Sequence, residues 1–170
     1  MTLTAPAGRR QTLTAGFLAI AMAGVVGGAL LFEHVGGYIP CKLCLEQRLP
    51  YYIGAPLMLV ALAASAMRMP GIVVRLLILP GALLMTWGLY LGVYHSGVEW
   101  AWWAGPTDCG AVSGGSDTGG NGVLDALNNV IPPSCDEAAL RILGLSLAGW
   151  NAIASLVLGA VAYWGALSRA

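Results

Sequence analysis

The run TLTAGFLAIAMAGVVGGALLF, Thr12 to Phe32, contains no charged residue. At about 1.5 Å per residue, a helix of this length covers roughly 30 Å, the thickness of one hydrocarbon core. The segment is therefore expected to cross a membrane. A cleaved signal peptide is the competing reading, because Ala19, Ala21 and Ala23 imitate a cleavage site, but the apolar run continues past them to Phe32. Gly24 and Gly28, four residues apart, would let another helix approach closely.

Outward from this run the pattern repeats. Leu49 to Met67, Ile72 to Tyr94 and Ile142 to Trp164 read as further spans. Pro50 falls in the first turn of the second span, while Pro56 and Pro80 are expected to bend the second and third. Arg75, near the start of the third span, can snorkel to the interface. The chain is 58% apolar and only 9% charged, against about 25% charged in soluble domains, which places it among integral membrane proteins. The expected fold is all-α: one membrane domain over residues 1–170, an up-down four-helix bundle with spans at 12–32, 49–67, 72–94 and 142–164. Two extracytoplasmic loops, 33–48 and 95–141, take the irregular backbone that lipid cannot satisfy. A formal net charge of zero argues against a nucleic-acid partner.

Arginine and lysine orient the bundle. Arg9, Arg10, Arg68, Arg75 and Arg169 fall on one side, with Lys42, Arg48 and Arg141 on the other. Both termini are therefore expected to be cytoplasmic. All eight carboxylates and all four cysteines, at 41, 44, 109 and 135, then face outward. In a bacterium that side is the periplasm, where disulfides persist.

The first outer loop carries Pro40-Cys41-Lys42-Leu43-Cys44-Leu45-Glu46-Gln47-Arg48. Two thiols one helical turn apart, with a guanidinium one turn further on, can share a face. A helix N-terminus and nearby cations favour the thiolate, the form that attacks disulfides. Lys42, between the cysteines, adds to that bias, and Glu46 opposes it unless paired with Lys42. The spacing of the cysteines fits no usual zinc pattern, so no metal is expected.

The second outer loop holds Trp100, Trp102 and Trp103, read as interfacial anchors. A Gly- and Ser-rich tether spans 110–122. Val123, Leu124, Leu127, Val130 and Ile131 follow at helical spacing, as in a short amphipathic helix on the membrane surface, ended by Pro132 and Pro133. Cys109 and Cys135 flank this region. A static structural disulfide would explain them, but two cysteine pairs on one side also permit disulfide exchange.

Taken together, the Pro-Cys-x-x-Cys stretch with Gln47-Arg48, the four spans, the outer pair Cys109 and Cys135, and Gly144-Leu145-Ser146-Leu147-x-Gly149-Trp150-Asn151 resemble the disulfide-bond formation protein B (DsbB) family of quinone-dependent membrane thiol oxidases. The resemblance implies residence in the bacterial inner membrane. It implies that Cys109, bonded to Cys135 at rest, is attacked by a reduced DsbA-like thioredoxin-fold partner. Cys135 would then attack Cys41 of a Cys41–Cys44 disulfide, and Cys44 would pass electrons to ubiquinone or menaquinone held by Arg48.

His95 and Glu99, four apart at the outer end of the third span, lie near where the quinone head group would reside; a proton path is the sharper reading of them, but polar residues at the interface need no such role. Glu33 and His34 read as loop residues, and Met22, Met58, Met67, Met69 and Met85 as apolar filling. A vitamin K epoxide reductase-like enzyme would use similar parts, but its motif is expected at the last helix. A non-enzymatic scaffold stapled by two disulfides would tolerate loss of Arg48.

Overall fold

The computed structural model describes residues 5–106, 135 and 138–167. Its elements are helix α1 (Arg9–His34), α2 (Lys42–Ala66), α3 (Gly71–Glu99), a hairpin of β1 (Arg141–Ile142) and β2 (Leu145–Ser146), and α4 (Leu147–Leu167). All four helices are long and apolar enough to cross a membrane. The molecule is an all-α membrane four-helix bundle. Cys109, the tract 110–122, the expected surface helix at 123–131 with Pro132 and Pro133, and Arg169 lie outside the described residues.

The helices follow one another around the bundle. α1 packs on α2, α2 on α3, α3 most broadly on α4, and α4 returns to α1. Leu18, Met22, Tyr51, Met58, Ile78 and Met85 are completely buried between them, whereas Ile20, Leu59, Leu76, Leu83 and Leu156 point outward as a lipid-facing surface requires. Met67 and Met69, at the turn between α2 and α3, are exposed rather than packed. Lipid solvates apolar side chains as well as the core does, so close backbone approach matters more than burial. At Gly92 a Cβ would stand 2.9 Å from the Cα and N of Ala152, so only glycine lets α3 and α4 meet there. Gly24 and Gly28 correct the expectation drawn from their spacing: a Cβ at either would meet nothing within 4 Å among the described residues.

Element boundaries differ from the hydropathy reading where polar residues complete a helix. α2 begins at Lys42 rather than 49, because Cys41 is its N-cap: its backbone is extended and its sulfur accepts the Cys44 N–H at 3.4 Å. The cysteine motif is thus the first turn of α2, and Pro50 lies inside the helix rather than in its first turn. α1 runs on to His34 and carries Glu33 in its last turn, so Glu33 and His34 are helical. α3 continues to Glu99, five residues beyond the expected end, which puts His95 and Glu99 on one helix face. α4 starts at Leu147, not 142. The residues before it form the hairpin, whose two turn residues, Leu143 and Gly144, both have positive φ as a two-residue turn of type I′ demands.

The end remote from the cysteines is tied by backbone. Ala7 N donates to Met69 O at 3.1 Å and Gly71 N to Ala5 O at 2.8 Å. Arg75 Nε donates to the carbonyl of Ala166 at 2.7 Å and so satisfies the last turn of α4. At the cysteine end Trp100, Trp102 and Trp103 are exposed; Trp103 lies over Gly97, and its indole N–H donates to Tyr94 O at 2.9 Å.

Candidate active site

The Cys41 and Cys44 sulfurs are 3.0 Å apart, hydrogen-bonded and free of any disulfide. Cys135 is disulfide-bonded and packs with Cys41, Leu43 and Val98 in a small buried cluster. The Cys41 and Cys135 sulfurs and His95 Nε2 all lie within 4.8 Å of one another. Such spacing could hold a metal ion, but the thiolate is the metal-binding form of cysteine, and Cys135 is tied in a disulfide. A thiol beside a disulfide sulfur is instead the geometry of exchange.

The Cys44 thiol, hydrogen-bonded to Cys41, is the main influence that holds Cys41 far below the usual thiol range, at about 4; burial opposes this, and a hydrogen bond with His95 supports it. Lys42 is not among the causes, so the bias expected from that lysine comes from other neighbours. In this state the anion of the pair resides on Cys41.

Behind His95 runs a chain of amides and hydroxyls. Asn151 Nδ2 donates to Gln47 Oε1 at 2.6 Å, which turns the Gln47 amide so that its N–H reaches His95 Nδ1 at 2.5 Å. Asn151 Oδ1 accepts the Tyr51 hydroxyl at 2.8 Å, and the Tyr51 oxygen accepts from Ser155 Oγ at 2.7 Å. Every donor points the same way. With Nδ1 accepting, the ring proton of neutral His95 is on Nε2, which stands 3.8 Å from the Cys41 sulfur and 3.9 Å from Glu99 Oε1. Residues from α2, α3 and α4 together set one imidazole tautomer beside one thiolate.

These groups open onto a cavity of about 370 Å³. Cys44, Arg48, Gln47, His95 and Glu99 form its polar side, and Gly24, Val25, Gly28, Ala29 and Phe32 its apolar wall on α1. The missing Cβ atoms of Gly24 and Gly28 widen this space. Arg48 Nη1 is ion-paired with Glu33 Oε2 of α1, which fixes the guanidinium at the cavity edge. A planar acceptor with carbonyl oxygens could be held here by Arg48 against the α1 wall.

The family model of disulfide bond formation protein DsbB matches residues 10–165. The chain belongs to the DsbB family. This DsbB-family chain is a multi-pass membrane oxidoreductase of disulfide-bond formation. No curated protein and no solved structure matches it.

Of the residues expected to act, Cys41, Cys44, Arg48, His95 and Cys135 converge in this DsbB-family bundle, while Cys109 lies outside the described residues. Gln47, Asn151, Tyr51, Ser155 and Glu33 were given no role by the sequence. Polar side chains facing inward from apolar helices were the available signal, since such residues are costly in lipid unless partnered.

Proposed function

We propose that the chain reoxidises a DsbA-like thioredoxin-fold dithiol at the periplasmic face of the bacterial inner membrane and passes the electrons to a membrane quinone, ubiquinone or menaquinone. A partner thiolate attacks Cys109 and frees Cys135; the partner's second thiolate then attacks the mixed disulfide and frees Cys109, so that the partner leaves oxidised with the two electrons now on the outer pair. The Cys135 thiolate attacks Cys41 of an oxidised Cys41–Cys44 pair and releases Cys44, which lines the cavity, and Cys109 then attacks Cys135, frees Cys41 and restores the outer disulfide.

The observation that carries this reading is the approach of the disulfide-bonded Cys135 to Cys41, sulfurs within 4.8 Å, with Cys44 3.0 Å further along the same route. A disulfide needs its sulfurs at about 2.05 Å, so a small side-chain movement joins the pairs. The donor set of the cavity suits a quinone: a fixed guanidinium for a carbonyl oxygen, and an apolar wall on α1 for the rest. A quinone bound there supplies a two-electron, two-proton acceptor. Arg48 binds and orients its oxygen, Glu33 keeps Arg48 in place, and the small residues of α1 leave room.

Quinone reduction by the purified protein with a reduced thioredoxin-fold partner tests this. Cys44→Ser should abolish turnover. Arg48→Ala should raise the KM for quinone by about tenfold or more, the worth of one hydrogen bond to a charged group. If the unmodified protein reduced no quinone while both cysteine pairs stayed oxidised, a disulfide-stapled scaffold would be the better description.

A further inference from the structure

We infer that Glu99 is the proton carrier of this site: it holds the proton given up when Cys41 becomes a thiolate, and delivers it to the acceptor in the cavity. Only the delivery rests on the quinone reading above; the shared proton stands on geometry alone.

The Glu99 side chain is 4% exposed, its Oε1 lies 3.9 Å from His95 Nε2, and its Oε2 has no hydrogen-bond partner among the described residues. It lines the same cavity as Cys44 and Arg48. An ionised carboxylate in such a place is costly unless its oxygens are paired. Of the groups around it, the Arg48 guanidinium favours a carboxylate but is engaged by Glu33, whereas a Cys41 thiolate opposes a second negative charge. From α2 come Cys41, Cys44 and Arg48, from α3 itself His95, and from α1 Glu33, which is already paired with Arg48; Cys135 lies against Cys41. Cys41 and Glu99 thus flank one imidazole, and Gln47 occupies Nδ1, so a single N–H at Nε2 would have to serve two anions. Like charges this close do not both ionise readily in a medium of low dielectric. One proton on Glu99 removes the conflict: Cys41 keeps the His95 N–H, and the carboxylic acid can turn its O–H, on Oε2, toward the cavity.

The step balances. Cys41 as thiolate and Cys44 as thiol form their disulfide and release two electrons and the Cys44 proton. Glu99 gives up its proton and becomes a carboxylate. The acceptor thereby gains two electrons and two protons, and the site keeps one negative charge before and after. The next Cys41 thiol to be formed returns a proton to Glu99.

The test uses the full-length protein in detergent or nanodiscs. An infrared difference spectrum between the reduced and oxidised states, taken without quinone, should show a carboxylic-acid C=O stretch in the reduced state that shifts in D2O and vanishes in Glu99→Gln. In single turnover with a short-chain quinone, Glu99→Gln should slow quinol formation by ~100-fold, the lower end for loss of a general acid. Glu99→Asp should recover part of that rate. Absence of the band in the unmodified protein, or an unaltered quinol rate in Glu99→Gln, would overturn the assignment. A protein that shows the band yet reduces no quinone would sink the acceptor reading and leave the shared proton supported.

Discussion

At Cys41 the hydrogen bond to Cys44 outweighs burial, and His95 adds to it. The thiolate is the reactive form above the pKa, so alkylation of Cys41 by iodoacetamide should stay near its plateau as pH falls through neutrality and drop only near pH 4. Trypsin cuts after Lys42 and separates Cys41 from Cys44, so mass spectrometry can follow each thiol by itself. His95→Phe removes the hydrogen bond of the imidazole and should move the Cys41 midpoint up by about one unit. Gln47→Leu should move it the same way but less, because the ring remains while its tautomer is no longer set. Lys42→Met should leave the midpoint where it is; a shift there would mean that the lysine, not the neighbouring thiol and imidazole, controls the anion.

Helix contacts divide the glycines into two kinds. Gly92→Ala drives a methyl into the backbone of Ala152 and should cost about 1–3 kcal/mol, read as a lower thermal midpoint. Gly24→Ala meets no described residue and should leave stability unchanged, but it narrows the cavity and, on the proposed function, should weaken quinone binding. Hydropathy made the four membrane helices legible, and cysteine and arginine spacing marked Cys41, Cys44 and Arg48. The start of α2 was not legible, because Cys41 acts as a cap only once its sulfur meets the Cys44 N–H. The link from Gln47 to Asn151 joins residues 104 apart and depends on how α2 faces α4, which no local period encodes. Apolar residues surround these helices on all sides, so periodicity could not tell a core-facing side from a lipid-facing one.

Across the whole bundle, polar groups are concentrated at both ends, and the two ends are built differently. At the cysteine end the buried amides and hydroxyls of Gln47, Asn151, Tyr51 and Ser155 satisfy one another. At the far end Gln11 is buried with both amide atoms unpartnered among the described residues, and so is the Thr14 hydroxyl. Gln11→Met, of similar length, should therefore stabilise the protein by about 1–3 kcal/mol in a chemical or thermal unfolding measurement, without affecting thiol oxidation. A loss of stability would show that Gln11 has a partner in the membrane-embedded protein.

Helix α3 also acts as a ruler. Arg75, which closes the last turn of α4 at one end, and His95 at the other are twenty residues apart, roughly 30 Å along the helix axis. That is the depth of the hydrocarbon layer, so with Arg75 at one boundary His95 stands level with the other and Glu99 a turn beyond, its side chain still enclosed by protein. The site is thereby set near the edge of the hydrocarbon layer, a depth that suits the lipid-soluble acceptor proposed above. Lipids with longer acyl chains would have to submerge one end of that ruler or the other, so catalytic rate should follow bilayer thickness even though no residue has changed.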